Sequence, residues 1–142
     1  MPVELIERSL ALEPRVPEAR SIAQWPSVLY AEMLTWPDDL VLGLRLWEEL
    51  CQQALDRGEE HVLAWFLAQL IPYECVAGAW DKALAYADQC GAVAAGQGPF
   101  EEAFALAGQA LVEAHLGDEP ATRRDAEEAR RLAAPGSTLL AD

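Results

Sequence analysis

Few side chains in this sequence are suited to chemistry: two histidines, three cysteines and four serines in 142 residues. His61 follows Glu59 and Glu60 at the start of a helical run, where acids complement the free backbone N–H groups and a polar surface is ordinary. His115 stands near Glu113, Asp118 and Glu119. Two or three of these groups would suit a divalent cation, but a metal centre needs ligands of fixed geometry, and a solvated acidic helix end accounts for the cluster. Ser9, Ser21, Ser27 and Ser137 have no strand–turn–helix elbow around them, and no cysteine is sequence-paired with a base. Cys51, Cys75 and Cys90 are odd in number, far apart and without CxxC spacing. They read as buried free thiols in a reducing compartment. The acid pairs Glu48–Glu49, Glu59–Glu60, Glu101–Glu102 and Glu127–Glu128 fall at exposed helical positions, where they serve solubility or meet a basic partner. These residues predict no enzyme, no metal and no cofactor; a small cofactor-free enzyme is the weakest reading kept.

The elements that would position a site are helices. β-branched residues are sparse and no hairpin dipeptide separates alternating runs. Leu40, Gly43, Leu44, Trp47, Leu50, Cys51 and Ala54 follow an i, i+3, i+4, i+7 stripe. Leu63, Leu67, Leu70 and Ile71 make a second, Ala83, Ala87 and Cys90 a third, and Leu106, Ala110, Leu111 and Ala114 a fourth. The hydrophobic fraction of 52% is ample for a core. The net charge of −14 repels phosphate backbones and anionic lipid, which disfavours nucleic acid and membrane as partners. Nine arginines beside one lysine and much alanine reflect a GC-rich genome. No run approaches the ~18 apolar residues of a membrane span, and the opening MPVELIERSL carries acids where a signal peptide carries bases. A cytoplasmic location is expected.

Three breaks organise the chain. Thr35–Asp39, Gly78–Asp81 and Gly117–Pro120 each hold turn or cap chemistry. Asp38 or Asp39, Asp81 and Asp118 are placed to accept backbone N–H groups of the following helix, and Gly78 and Gly117 suit the left-handed residue that ends the preceding one. Overlaying WPDDLVLGLRLWEEL, VAGAWDKALAYADQC and LGDEPATRRDAEEA puts Asp38, Gly78 and Gly117 in register, 40 and 39 residues apart. The overlay also aligns Gly43, Ala83 and Thr122, then Trp47, Ala87 and Ala126, then Leu50, Cys90 and Ala129. Such a period, with two helices per unit, predicts a stacked helical-hairpin solenoid. The small aligned residues mark close helix approach, Trp80 locks the hairpin angle, and Trp47 belongs to the core.

The expected fold is all-α, a single helical-repeat domain of about three hairpins and a leading helix. That helix covers Val3–Leu12, followed by a Pro-marked link Glu13–Pro17. The hairpins pair Glu18–Leu34 with Asp39–Asp56, Glu59–Ala77 with Trp80–Ala94, and Pro99–Leu116 with Glu119–Ala133. The segment Pro135–Asp142 is expected to fray. Pro26 either sits in the first turn of its helix or kinks it, and Pro72 is expected to bend its helix and free the Ala68 carbonyl. The ends lack polar capping helices, which points to a piece of a longer protein or to ends covered by self-association.

Gly78, Trp80 and Ala83, with Leu67 and Leu70 before them and Ala87 and Cys90 after, resemble the tetratricopeptide repeat. The unit here is a few residues longer, and the third copy departs from the pattern at Glu119 and Thr122. DRGEEHVLAWFLAQLIPYECVAGAWDKALAYAD is similar to the helical-repeat region of large ATP-binding LuxR-type transcriptional regulators. The chain has no GxxxxGK[ST] loop and no basic helix-turn-helix stretch, so the resemblance implies the middle, sensor portion of such a regulator.

It also implies a concave face lined by the first helix of each hairpin. The inner positions are Trp25, Val28, Glu32 and Trp36, then Trp65, Ala68, Pro72 and Val76, then Phe104, Leu111 and His115. This trough is aromatic and apolar. It lacks the Lys and Asn residues that clamp a peptide carboxylate. Either several of these aromatics are core, or they hold an amphipathic peptide or small apolar effector. The expected role is a non-catalytic protein-interaction or effector-sensing module in signalling; the alternative is a self-associating scaffold, a homodimer.

Overall fold

The computed structural model describes residues 3–13, 21–34 and 39–134, and no strand occurs among them. The described α-helices are α1 (Val3–Leu12), α2 (Pro26–Met33), α3 (Leu40–Asp56), α4 (Glu60–Ala77), α5 (Trp80–Ala94), α6 (Pro99–Leu116) and α7 (Glu119–Ala133), with a 3-10 turn at Ile22–Gln24. The protein is all-α over these residues. It divides into two compact units, with the boundary between Val62 and Leu63.

In the first unit the expected helix from Glu18 to Leu34 is not one helix. The 3-10 turn, capped by the Ser21 hydroxyl, is followed by Trp25 in extended backbone, and α2 starts at Pro26. The residue before a proline is pushed out of the helical region, and proline is tolerated as the first helical residue because its missing N–H would have no partner there. Of the two options for Pro26, the first-turn placement is the one observed; residues 18–20 lie outside the described residues. Two carboxylates distant in sequence supply the missing caps. Glu13 Oε2 accepts the Ser27 N–H at 2.6 Å and Glu59 Oε2 accepts the Ile22 N–H at 3.0 Å. Asp39 caps α3 by accepting the Leu42 N–H at 2.9 Å. Ile22, Val28, Ala31, Trp47, Leu50 and Ala54 are buried, so Trp47 is core, as its stripe predicts.

The helix starts keep the spacing of the sequence corners. The N-cap residues of α3, α5 and α7 are Asp39, Ala79 and Asp118, separated by the same 40 and 39 residues as the sequence corners. Gly78 and Gly117 close α4 and α6 with φ of 73° and 80°, a conformation that a Cβ disfavours. Asp118 accepts the Ala121 N–H at 3.1 Å. Asp81 does not cap: the N-cap of α5 is Ala79, which gives no side-chain cap, and Asp81 sits inside the first turn. Asp118→Ala is expected to cost about 1 kcal/mol in urea unfolding, whereas Asp81→Ala should cost clearly less.

In the second unit α4 is apolar nearly all round, and Leu63, Phe66, Leu67, Leu70 and Ile71 are all buried. A helix of that kind belongs inside. Cys90 of α5 donates its thiol to the Ala64 carbonyl of α4 at 3.1 Å, and Gly108 of α6 lies against Ile71. Pro72 lies within α4, which continues to Ala77; with no N–H to give, it leaves the Ala68 carbonyl without its helical donor. The buried stripe of α5 is Ala83, Ala87, Cys90 and Ala94. That of α7 is Ala121, Asp125 and Ala129, so Thr122 and Ala126 fall one position beside the stripe that the overlay assigns them. The Thr122 hydroxyl turns back to the Asp118 carbonyl at 2.7 Å. The Trp80 ring lies 4.8 Å from that of His115, so it joins the start of α5 to the end of α6.

Candidate functional site between α6 and α7

On α6, Phe100, Ala103, Phe104 and Ala107 recur at helical spacing. On α7, Ala129, Arg130 and Ala133 face them, and the groove between encloses about 280 Å³. The alanines matter because each removes side-chain bulk where the two helices would otherwise fill the gap. Phe100 and Phe104 meet edge to face, with centroids 4.8 Å apart at 86°, an arrangement favoured by the ring quadrupoles. Phe100 is 63% exposed, a large apolar surface left to water.

Among the described residues that line this groove, Arg130 alone is charged. Its Nε donates to the Ala126 carbonyl one turn back at 3.3 Å, which holds the guanidinium along the helix edge. Arg45, Arg57, Arg123, Arg124 and Arg131 each form an ion pair with a carboxylate; Arg130 forms none among the described residues. A second cavity of about 420 Å³ lies between α5 and α6, over Ala87, Gly91, Ala94 and Ala105, with Asp88, Glu102 and Gln109 around it. Glu102 Oε1 there already accepts the Gly96 N–H at 3.2 Å.

Near the other end of α6, burial pushes the Glu113 carboxyl above its usual value; Gln109 opposes this, and the neighbouring Asp125 adds to it. Burial also pushes the Cys90 thiol up to about 11. Cys75 rises too, through burial and then the charge of Glu74. All three cysteines are unbridged and buried, and a thiol held protonated is a poor nucleophile. Among the described residues no three His, Cys, Asp or Glu side chains converge as a metal site would require. No helix among them is long and apolar enough to cross a membrane.

The predicted trough residues have varied surroundings. Trp25 is partly buried, with the Arg57 guanidinium 4.9 Å over its ring. Val28 is 3% exposed and belongs to the core. Glu32 is exposed, and Trp36 lies outside the described residues. Trp65, Ala68 and Pro72 occupy the less buried side of α4, where Val76 is exposed, and Leu111 is half-buried on α6. His115 is exposed against Trp80. Phe104 alone of this set lines the α6–α7 groove. Phe100, Ala103, Ala107, Ala129, Arg130 and Ala133 were not selected from sequence. Their signal was present in the Phe100–Phe104 pair and in alanines recurring at i+4 on both helices, which sequence reading absorbs into the hairpin core. No family model, curated protein or solved structure matches the chain.

Proposed function

We propose that this chain is a non-catalytic, cytoplasmic helical-repeat module of tetratricopeptide type that binds a protein partner in the α6–α7 groove. The observation that carries the reading is the groove itself: two phenylalanines on an alanine floor with one guanidinium at the edge. Such a surface fits an amphipathic helix whose apolar side covers Phe100 and Phe104 and whose single carboxylate meets Arg130. A strongly acidic partner is disfavoured, because the chain already carries −14 and like charges slow encounter. The recurrence of helix starts at Asp39, Ala79 and Asp118 supports the repeat reading. The resemblance to LuxR-type regulators supports a sensor role within one, in which the bound partner changes how neighbouring repeats pack.

The test is binding of a synthetic amphipathic helix carrying one glutamate beside three leucines, read by anisotropy. Phe104→Ala is expected to weaken it at least tenfold, a loss typical of a buried aromatic anchor, while Trp65→Ala leaves it unchanged. Loss with Trp65→Ala and not with Phe104→Ala would move the site to α4. Self-association is the second reading, favoured by Phe100 at 63% and by Leu5 at 55% exposure. Light scattering over a dilution series separates the two: a monomer at high concentration removes the homodimer.

A further inference from the structure

Two acids meet across the α6–α7 seam with too few donors between them. Asp125 is 7% exposed and accepts Arg124 Nε at 2.6 Å and Nη2 at 3.2 Å. The Glu113 side chain is 12% exposed; Arg124 Nη2 stands 3.8 Å from its Oε1, and the Gln109 amide donates to that oxygen at 3.4 Å. The other oxygen, Oε2, is shut away from solvent and receives no hydrogen bond among the described residues. The same Arg124 Nη2 thus stands between Asp125 Oδ2 and Glu113 Oε1.

Two carboxylates cannot bond each other, because each only accepts. One proton on Glu113 changes this: it removes the second buried negative charge beside Arg124 and turns the carboxyl from an acceptor only into a donor as well. Arg124 does not replace that proton. Its charge is committed chiefly to Asp125, and one cation compensates one anion. The other helices bring different surroundings to α6, Ile71 of α4 at Gly108 and Trp80 of α5 at His115; from α6 itself comes the neutral Gln109.

We propose that Glu113 keeps its proton beside the Arg124–Asp125 pair of the α6–α7 seam, and that losing it as pH rises loosens these two helices. The sign follows from linkage. The folded state holds this proton to higher pH than the unfolded chain does, so folding takes up a proton and stability falls as pH climbs past the ordinary glutamate range. Because α6 and α7 also form the Phe100–Phe104 groove, the same proton would tune that groove; this consequence rests on the proposed function, and the test below does not.

Thermal unfolding is compared at pH 5 and pH 8 for the wild type, for Glu113→Gln and for Glu127→Gln, which removes the same charge from an exposed position of α7. Glu113→Gln is expected to raise the midpoint at pH 8 by roughly 3–6 °C, the size of a removed buried charge in a chain of this length, and by much less at pH 5. Glu127→Gln should shift neither by more than about 1 °C. Equal behaviour of the two variants would overturn the proposal. Carboxyl carbon NMR of the wild type gives an answer even where a variant fails to fold. Glu113 should titrate above the ordinary glutamate range, and a Glu113 midpoint within that range would overturn it.

Discussion

Glu59→Ala is expected to lower the stability of the first unit by about 3 kcal/mol, since hydrogen bonds to a charged group contribute about 1.5–3 kcal/mol each and a buried donor left alone costs about 1–3 kcal/mol. The carboxylate does two things. Oε2 accepts the N–H of the fully buried Ile22 at 3.0 Å, and Oε1 accepts Arg57 Nε at 2.6 Å. Through the second bond it holds the Arg57 guanidinium 4.9 Å over the Trp25 ring. Truncation leaves the Ile22 donor without its acceptor and frees Arg57 from its place on Trp25. Trp25 fluorescence should report the change before global unfolding. Burial alone would raise the Glu59 carboxyl, but the hydrogen bonds from Arg57, Ser21 and Ile22 outweigh it and hold the group below its ordinary value. Its stabilisation is therefore complete above the ordinary glutamate range and lost as pH falls through the lowered folded value. That is the opposite sign to Glu113. A Glu59→Ala protein as stable as the wild type in urea at pH 7 would show that the latch contributes nothing.

This latch marks where sequence reading stops. The helices from α3 to α7 were legible because their starts and ends depend on neighbours in the chain: Asp39 and Asp118 cap within three residues, and Gly78 and Gly117 need no partner to turn. The start of α2 was not legible, because its cap is Glu13, 14 residues away, and the preceding turn is tied to Glu59, 37 residues away. Local spacing carries no trace of such pairings. The groove escaped for a related reason. Phe104 was identifiable as an inner position, but whether Ala103, Ala107, Ala129 and Ala133 fill a hairpin core or floor an open trough depends on the gap between two helices. Alanine spacing alone fits both. Val28 shows the converse: an inner position by repeat register that the fold buries.

Gly108→Leu is expected to cost about 3 kcal/mol, the upper part of the range for forcing bulk into a packed core. Even a single Cβ at Gly108 would stand 2.5 Å from Ile71 Cδ1, and Ile71 is fully buried, so its ethyl group has no solvent to swing into. Ile71 is also β-branched and helical, which restricts χ1 largely to one rotamer. The helix preference of alanine over glycine, about 1 kcal/mol, opposes the clash in Gly108→Ala, and the clash is expected to win by about 1 kcal/mol. Ile71→Val removes the methyl responsible and by itself costs about 1 kcal/mol. In that background Gly108→Ala should become neutral or stabilising, a coupling of about 2 kcal/mol, well beyond the additivity expected of independent sites. Equal destabilisation by Gly108→Ala in both backgrounds would mean that α4 and α6 do not approach through this pair. The close approach at Gly108 packs α6 against the buried helix α4, and the groove and the Glu113 proton both lie along α6, so the coupling measured at Ile71 tests the placement of the helix that carries them.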